Sequence, residues 1–143
     1  MKTTTSRRIA ISAGHSNVQG QDQGAEGNGL IEGVETVKIR NRIKFHLERM
    51  GCKVSVDPDS SVTWKTVALF KKYFSARDIV IDLHLNAASS DRATGVEVII
   101  PEKYSDFEHD LATELASEIS SRLKIRNRGD RKSTRLNSSH VSQ

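Results

Sequence analysis

The chain has 143 residues, 36% hydrophobic and 28% charged, a composition that suits one soluble globular domain burying about two-thirds of its unfolded surface. No run approaches the roughly 18 apolar residues of a membrane span, and the single Cys52 excludes an internal disulfide and any multi-cysteine zinc site. The net charge of +4 does not point to nucleic acid: Arg131, Lys132 and Arg135 against Asp130 supply half of it, and the other 19 basic and 17 acidic residues are interspersed as on solvated helical faces.

The opening MKTTTSRR is basic, but IAIS is too short for the apolar core of a secretory signal, so no Sec-type signal is expected. RRIAISAGHS predicts a strand over residues 8–12 running into a Gly14-His15 turn. A polar, glycine-rich loop follows. From Glu32 to Met50, Val37, Ile43, Leu47 and Met50 recur at helical spacing, and Gly51 ends the helix. Cys52 after it reads as a buried structural thiol, at the head of a short strand CKVSV. A second helix is predicted over SSVTWKTVALFKKYFS, with Ser60 or Ser61 as its N-cap. IVIDLHL, residues 79–85, reads as a buried core strand bounded by the turn-like SSDRATG. GVEVII, 95–100, is a further strand closed by Pro101. A third helix, DFEHDLATELASEISSRL, carries the stripe Phe107, Leu111, Leu115, Ile119, Leu123. The alternation predicts an α/β fold: a single three-layer domain, mostly parallel sheet flanked by helices. The last segment, DRKSTRLNSSHVSQ, has no apolar periodicity. It reads either as a disordered end or, our preferred reading, as the conceptual translation of a sequencing-library adapter. On that reading a domain of residues 1–129 lacks its last strand or strands, residues 130–143 are a non-native tail, and His140 carries no information.

Ligands bind outside the carboxyl ends of parallel strands, and two histidines sit at such ends: His15 and His84. Each alone reads equally well as a hydrogen-bonded core histidine. If their strands are neighbours, both reach one rim, and a carboxylate near the start of the first helix can join them. Two imidazoles and a carboxylate form a catalytic zinc set whose fourth position is left to water, which zinc would acidify. Glu32 stands at that helix start. Glu26, in the loop, and Glu35, one turn further on, are its rivals. His46 and His109 lie on charged helical faces and are expected to have no role.

IAISAGHS, GLIEGVETVKIRNRIKFHLERMGCKV, IVIDLHLNA and GVEVII, taken in order from Arg8 to Gly129, resemble the zinc-dependent N-acetylmuramoyl-L-alanine amidases of the phage-endolysin and autolysin type. The resemblance implies zinc ligands at His15, Glu32 and His84, with one Zn2+ ion. It implies hydrolysis of the amide between N-acetylmuramic acid and L-alanine by metal-activated water, with peptidoglycan as partner. Cytoplasmic synthesis and action on the wall after release or export would follow. Asn86 and Glu97 are candidates for substrate or supporting contacts, each also readable as a turn residue or a solvent-facing strand residue. The departures are Ser12-Ala13-Gly14-His15-Ser16 where many relatives have GHGG, and the lack of a segment like the family's LxExxFxxN, which carries its general-base glutamate. The catalytic base is therefore unassigned, and this chain is expected to hydrolyse slowly if at all. The alternatives are a zinc-binding or metal-free peptidoglycan-binding module and an unrelated α/β domain with two core histidines.

Overall fold

In the computed structural model, which describes residues 7–86 and 94–133, Ile9–Ser12 forms the central strand β1 of a parallel sheet. Its edges are Val54–Val56 (β4) and Ile79–Asp82 (β5). Between β1 and β4 come a two-residue hairpin, Glu26–Gly27 (β2) with Leu30–Ile31 (β3), and the helix Glu32–Arg49 (α1). Helix Thr63–Tyr73 (α2) connects β4 to β5. These elements form a compact unit, residues 1–87; residues 88–143 form a second.

In the first unit Ala10, Ile11 and Ala13 of the β1 segment are fully buried, with Val37 from α1 and Phe70 from α2 close to it. Strand β5 departs from the expected buried run in two ways. It ends at Asp82 rather than near Leu85, because its partner β1 ends opposite at Ser12, whose carbonyl accepts the Leu83 N–H (3.1 Å), and the β1 segment then turns away at Gly14. It also alternates half-buried and exposed residues. Val80, 47% exposed, borders a groove of about 270 Å³ that Thr66, Phe70 and Phe74 of the α2 segment line from the other side. The N-cap of helix α2 is Val62, with no side-chain cap, so neither Ser60 nor Ser61 serves as N-cap; the Ser61 hydroxyl instead accepts a bond from Thr66 at 2.8 Å. Met50, at the end of α1, is exposed rather than part of the apolar stripe, and Cys52 is half-buried.

The second unit is a βαβ element: Val96–Pro101 (β6), Asp106–Leu123 (α3) and Asn127–Ser133 (β7), with β6 and β7 parallel. Ser105 and Glu108 build a capping box at the start of α3. The buried face of α3 is Ala112 and Ala116, flanked by half-buried Leu111 and Leu115; Phe107, Ile119 and Leu123 are exposed. The predicted stripe winds because every step is four residues. At about 100° per residue, Phe107 and Leu123 lie about 160° apart around the helix.

Strand β7 runs through the boundary expected at Gly129. Asp130–Ser133 continue it, pairing with Val98–Pro101. Gly129, with φ +81°, accommodates a bulge between the Val96–Asn127 and Val98–Asp130 pairs. Backbone pairing needs no apolar side chain, so the polar composition concealed this strand. Residues 134–143, with His140, and most of the SSDRATG turn lie outside the described residues.

The described residues thus form an α/β fold with parallel strands and three helices, as the alternation predicts. No helix among the described residues is long and apolar enough to cross a membrane.

Candidate metal centre

His15, Glu32 and His84 converge at the carboxyl end of β1 and β5. One ligand atom from each lies within 4.8 Å of the others. His15 Nε2 is 3.6 Å from Glu32 Oε2, and His84 Nδ1 is 3.2 Å from Glu32 Oε1. The two imidazoles meet edge to face, with centroids 4.9 Å apart.

The local sequence explains the convergence. β1 and β5 are hydrogen-bonded neighbours with Ser12 opposite Asp82, so residues just past their ends emerge together. Gly14 permits the close approach: its φ is +75°, and a Cβ there would meet His84 Cε1 at 2.7 Å. The glycine-rich loop then folds back so that Gly24 crosses the site, where a Cβ would meet His15 Cδ2 at 2.6 Å. Carbonyls of this loop receive the first N–H groups of α1: Glu32 N–H bonds to Ala25 O at 2.9 Å and Gly33 N–H to Gln23 O at 2.8 Å. Helix α1 therefore starts without a side-chain cap.

Glu32, the first residue of α1, is 7% exposed. Its carboxylate accepts the N–H of Ala25 at 2.9 Å on Oε2 and the N–H of Leu85 at 2.7 Å on Oε1. The helix N-terminus also favours negative charge there. Glu35 is held in an ion pair with Lys38 at 2.7 Å, and Glu26 is exposed on the β2–β3 hairpin. Of the three candidate glutamates, Glu32 is the one in the cluster.

Each histidine has an aspartate on its other nitrogen. His15 Nδ1 is 3.1 Å from Asp22 Oδ1, which also accepts the Gly24 N–H at 3.2 Å. His84 Nε2 is 3.0 Å from Asp82 Oδ2, while Ser12 Oγ donates to Asp82 Oδ1. The bond to Asp82 is the main cause that raises the His84 pKa above the ordinary imidazole value, against the effect of burial. Burial pushes the Asp82 carboxyl up, but its bonds from His84 and Ser12 outweigh that and leave it below the usual range. Neither aspartate was singled out from the sequence. Asp82 left a signal, since residues two apart on a strand share a face; Asp22, inside an irregular loop, left none.

The base of the site is held by a buried ion pair. Arg40 of α1 donates from Nη1 to Asp57 Oδ1 (2.8 Å) and to its carbonyl (2.9 Å), and also bonds to Asp59. Asp57 Oδ1 accepts the Ala13 N–H at 3.2 Å, and the Asp59 carbonyl accepts the Asn17 N–H at 2.9 Å. Thr63 Oγ1 donates to the Gly14 carbonyl. Residues 13–17, with His15 in the middle, are thereby fixed at three points.

The other sequence candidates are not among the three side chains of the cluster. Asn86 is exposed, two residues beyond His84. Glu97 is half-buried on β6 in the second unit, with Oε2 3.6 Å from Arg128 Nη2. His46 is exposed on α1, and His109, half-buried on α3, stacks on Tyr104 with centroids 5.8 Å apart.

Comparison with known proteins bears on this geometry. The chain is 26% identical over 129 residues to the uncharacterized protein YqiI of Bacillus subtilis (strain 168), a match covering 89% of this chain and 61% of that protein's length. Among solved structures, N-acetylmuramoyl-L-alanine amidase AmiC2 of Nostoc punctiforme matches with TM-score 0.69 at 25% identity, over 89% of this chain and 69% of that one. The catalytic domain of the CD27L endolysin targeting Clostridia Difficile matches with TM-score 0.69 at 26% identity, over 96% of this chain and 77% of that one. The family model for N-acetylmuramoyl-L-alanine amidases matches residues 9–142. With nearly its whole length inside that match, the chain belongs to the N-acetylmuramoyl-L-alanine amidase family.

Proposed function

We propose that the protein is a peptidoglycan hydrolase that cleaves the amide between the lactyl group of N-acetylmuramic acid and L-alanine, using one zinc ion held by His15, Glu32 and His84. The observation that carries this reading is the convergence of those three side chains within 4.8 Å in a chain of this family. Two imidazoles and one carboxylate suit zinc and leave a coordination position open. The aspartates behind the histidines have the arrangement expected of supporting partners at a metal site. When bound, zinc supplies Lewis acidity, polarising a carbonyl oxygen and acidifying water.

The chain's own groups supply position. Glu32 is held by the N–H groups of Ala25 and Leu85, so its oxygens stay on the rim. Asn86 is proposed to hydrogen-bond the substrate's amide. Asp22, Glu32 and Asp82 are all engaged in holding the site, so we assign proton transfer to another carboxylate. In the balanced reaction the hydroxyl of water joins the lactyl carbonyl carbon, the C–N bond breaks, and the amine of L-alanine takes the proton.

The test is zinc content and zinc affinity of the wild type, His15→Ala and Glu32→Ala, followed by digestion of purified peptidoglycan read as new L-alanine amino termini. One zinc per wild-type chain, lost in both variants, with new L-alanine termini, supports the reading. Wall binding without new termini would leave a binding module, and new reducing sugars in their place would point to glycosidic cleavage.

A further inference from the structure

The two histidines of the cluster face it with different ring nitrogens. His15 turns Nε2 toward Glu32 and Nδ1 toward Asp22; His84 turns Nδ1 toward Glu32 and Nε2 toward Asp82. We propose that Asp82 is a positioning residue for metal binding: it holds the proton of His84 on Nε2, so that this histidine offers Nδ1, and not the commoner outer nitrogen, to the metal. The inference rests on the proposed zinc site and goes beyond it, because it names the residue and the atom that set the donor.

A neutral imidazole has one N–H and one lone pair, and the hydrogen bond made by one nitrogen decides which atom is the donor to a metal. Two carboxylates compete for the His84 proton. Glu32 Oε1 already accepts the Leu85 N–H at 2.7 Å. Asp82 Oδ2 faces His84 Nε2 at 3.0 Å, while its other oxygen accepts from Ser12. Asp82 is thus aimed at the ring by Ser12, a residue buried in β1 and its register partner across the ladder. Because both residues belong to paired strands, the geometry of the acceptor is fixed before any metal arrives. Asp82 is also where β5 ends, so the strand terminus and the proton acceptor are one residue.

The experiment has two readouts on the purified chain. The first is the His84 tautomer in the metal-free protein, from the long-range nitrogen–proton NMR pattern recorded where the ring shifts show the imidazole neutral. The second is zinc affinity by competition with a chromophoric chelator. Wild type should show the Nε2–H tautomer at His84. Asp82→Ala should lose that preference and bind zinc about 10- to 100-fold more weakly. Asp82→Asn, which keeps an acceptor oxygen without the charge, should retain the tautomer and lose about 10-fold. If Asp82→Ala does not fold, Asp82→Asn and Ser12→Ala carry the comparison, with Ser12→Ala weakening both readouts in the same direction. An Nδ1–H tautomer in the wild type overturns the proposal. So does zinc affinity in the Asp82 variants equal to that of the wild type. A wild-type chain that binds no zinc refutes the metal reading instead, and the metal-free tautomer then still decides whether Asp82 positions His84.

Discussion

The two histidines reach the same rim by different means. His84 follows β5 by two residues, and its aspartate lies on the strand itself, paired across the ladder with Ser12. His15 sits in a turn, and its aspartate comes from an irregular loop seven residues on. The strand-borne arm inherits its geometry from backbone pairing. The loop-borne arm depends on side chains: Asp57 on the Ala13 N–H, Thr63 on the Gly14 carbonyl, and Arg40 tying Asp57 and Asp59 together. One side of the three-residue cluster can therefore rest on a few long-range polar contacts and the other on a ladder.

The sharpest way to break this balance is Arg40→Met. Arg40 is 1% exposed, and its removal strands a buried Asp57 charge. We expect a loss of about 3–5 kcal/mol in urea unfolding, as for other buried pairs deprived of one partner. Amide exchange should rise first over residues 13–17 and only later in β5. A loss below about 1 kcal/mol, a value ordinary for surface pairs, would show that the loop arm is held by something else.

Glu32 belongs to both arms. Glu32→Ala should reduce zinc affinity by more than the about 10–100-fold typical of losing a supporting partner, and should also free the N–H groups of Ala25 and Leu85. Glu35→Ala, which removes only the pair with Lys38, should change it little. The reverse ranking by chelator competition would move the ligand one helical turn.

Asp22→Ala separates the arms. Its carboxylate is exposed and holds both His15 and the Gly24 N–H. We expect about a 10-fold loss of zinc affinity accompanied by faster amide exchange across residues 16–25, whereas Asp82→Ala should leave exchange in β5 close to wild type. Equal exchange in the two variants would remove the distinction between loop and strand support.

What the sequence revealed follows the same division. The convergence of His15 and His84 at strand ends was legible because β1 and β5 are short apolar runs and topology brings their ends together. The Glu32 helix start was legible from periodicity, and the family resemblance favoured it over Glu35, while Glu26 read as a solvated loop residue. The loop was not, although Asn28-Gly29, both with positive φ, is the usual signal of a tight hairpin. Arg40 was hidden because a charged residue on a helix reads as solvated until its partners on another segment are known. The α3 stripe was misread because an unbroken four-residue spacing drifts around the helix, and β7 was missed because pairing there is carried by backbone rather than by apolar side chains.

The smallest expected effect concerns the far end of the strand-borne arm. Arg8, just before β1, bonds from Nε to Asp78 Oδ1 at 3.1 Å and from Nη2 to the Tyr73 carbonyl at 3.0 Å, while Ile79 N–H bonds to the Arg8 carbonyl at 2.9 Å. The Arg8 hydrogen bond, aided by the Ser75 N–H and opposed by burial, holds the Asp78 carboxyl well below the usual carboxylate range. A carboxylate depressed in the folded state contributes stability that is complete above its unfolded pKa of about 3.9 and is lost as pH falls through the folded pKa. Acid should therefore loosen the start of β1 and β5 only below about pH 4. Because the Arg8 side chain is half exposed, water screens the pair and the change should be modest. Asp78→Asn removes the titrating group. Its thermal midpoint should lie below that of the wild type near neutral pH, and the gap should narrow as pH drops toward about 2. Zinc affinity near neutral pH should stay within about twofold of wild type, because the ladder holds Asp82 independently of this contact. A gap that persists unchanged in acid would assign the effect of Asp78→Asn to packing. A large loss of zinc affinity would show that the strand arm transmits strain from its foot to His84, and would make it no more rigid than the loop.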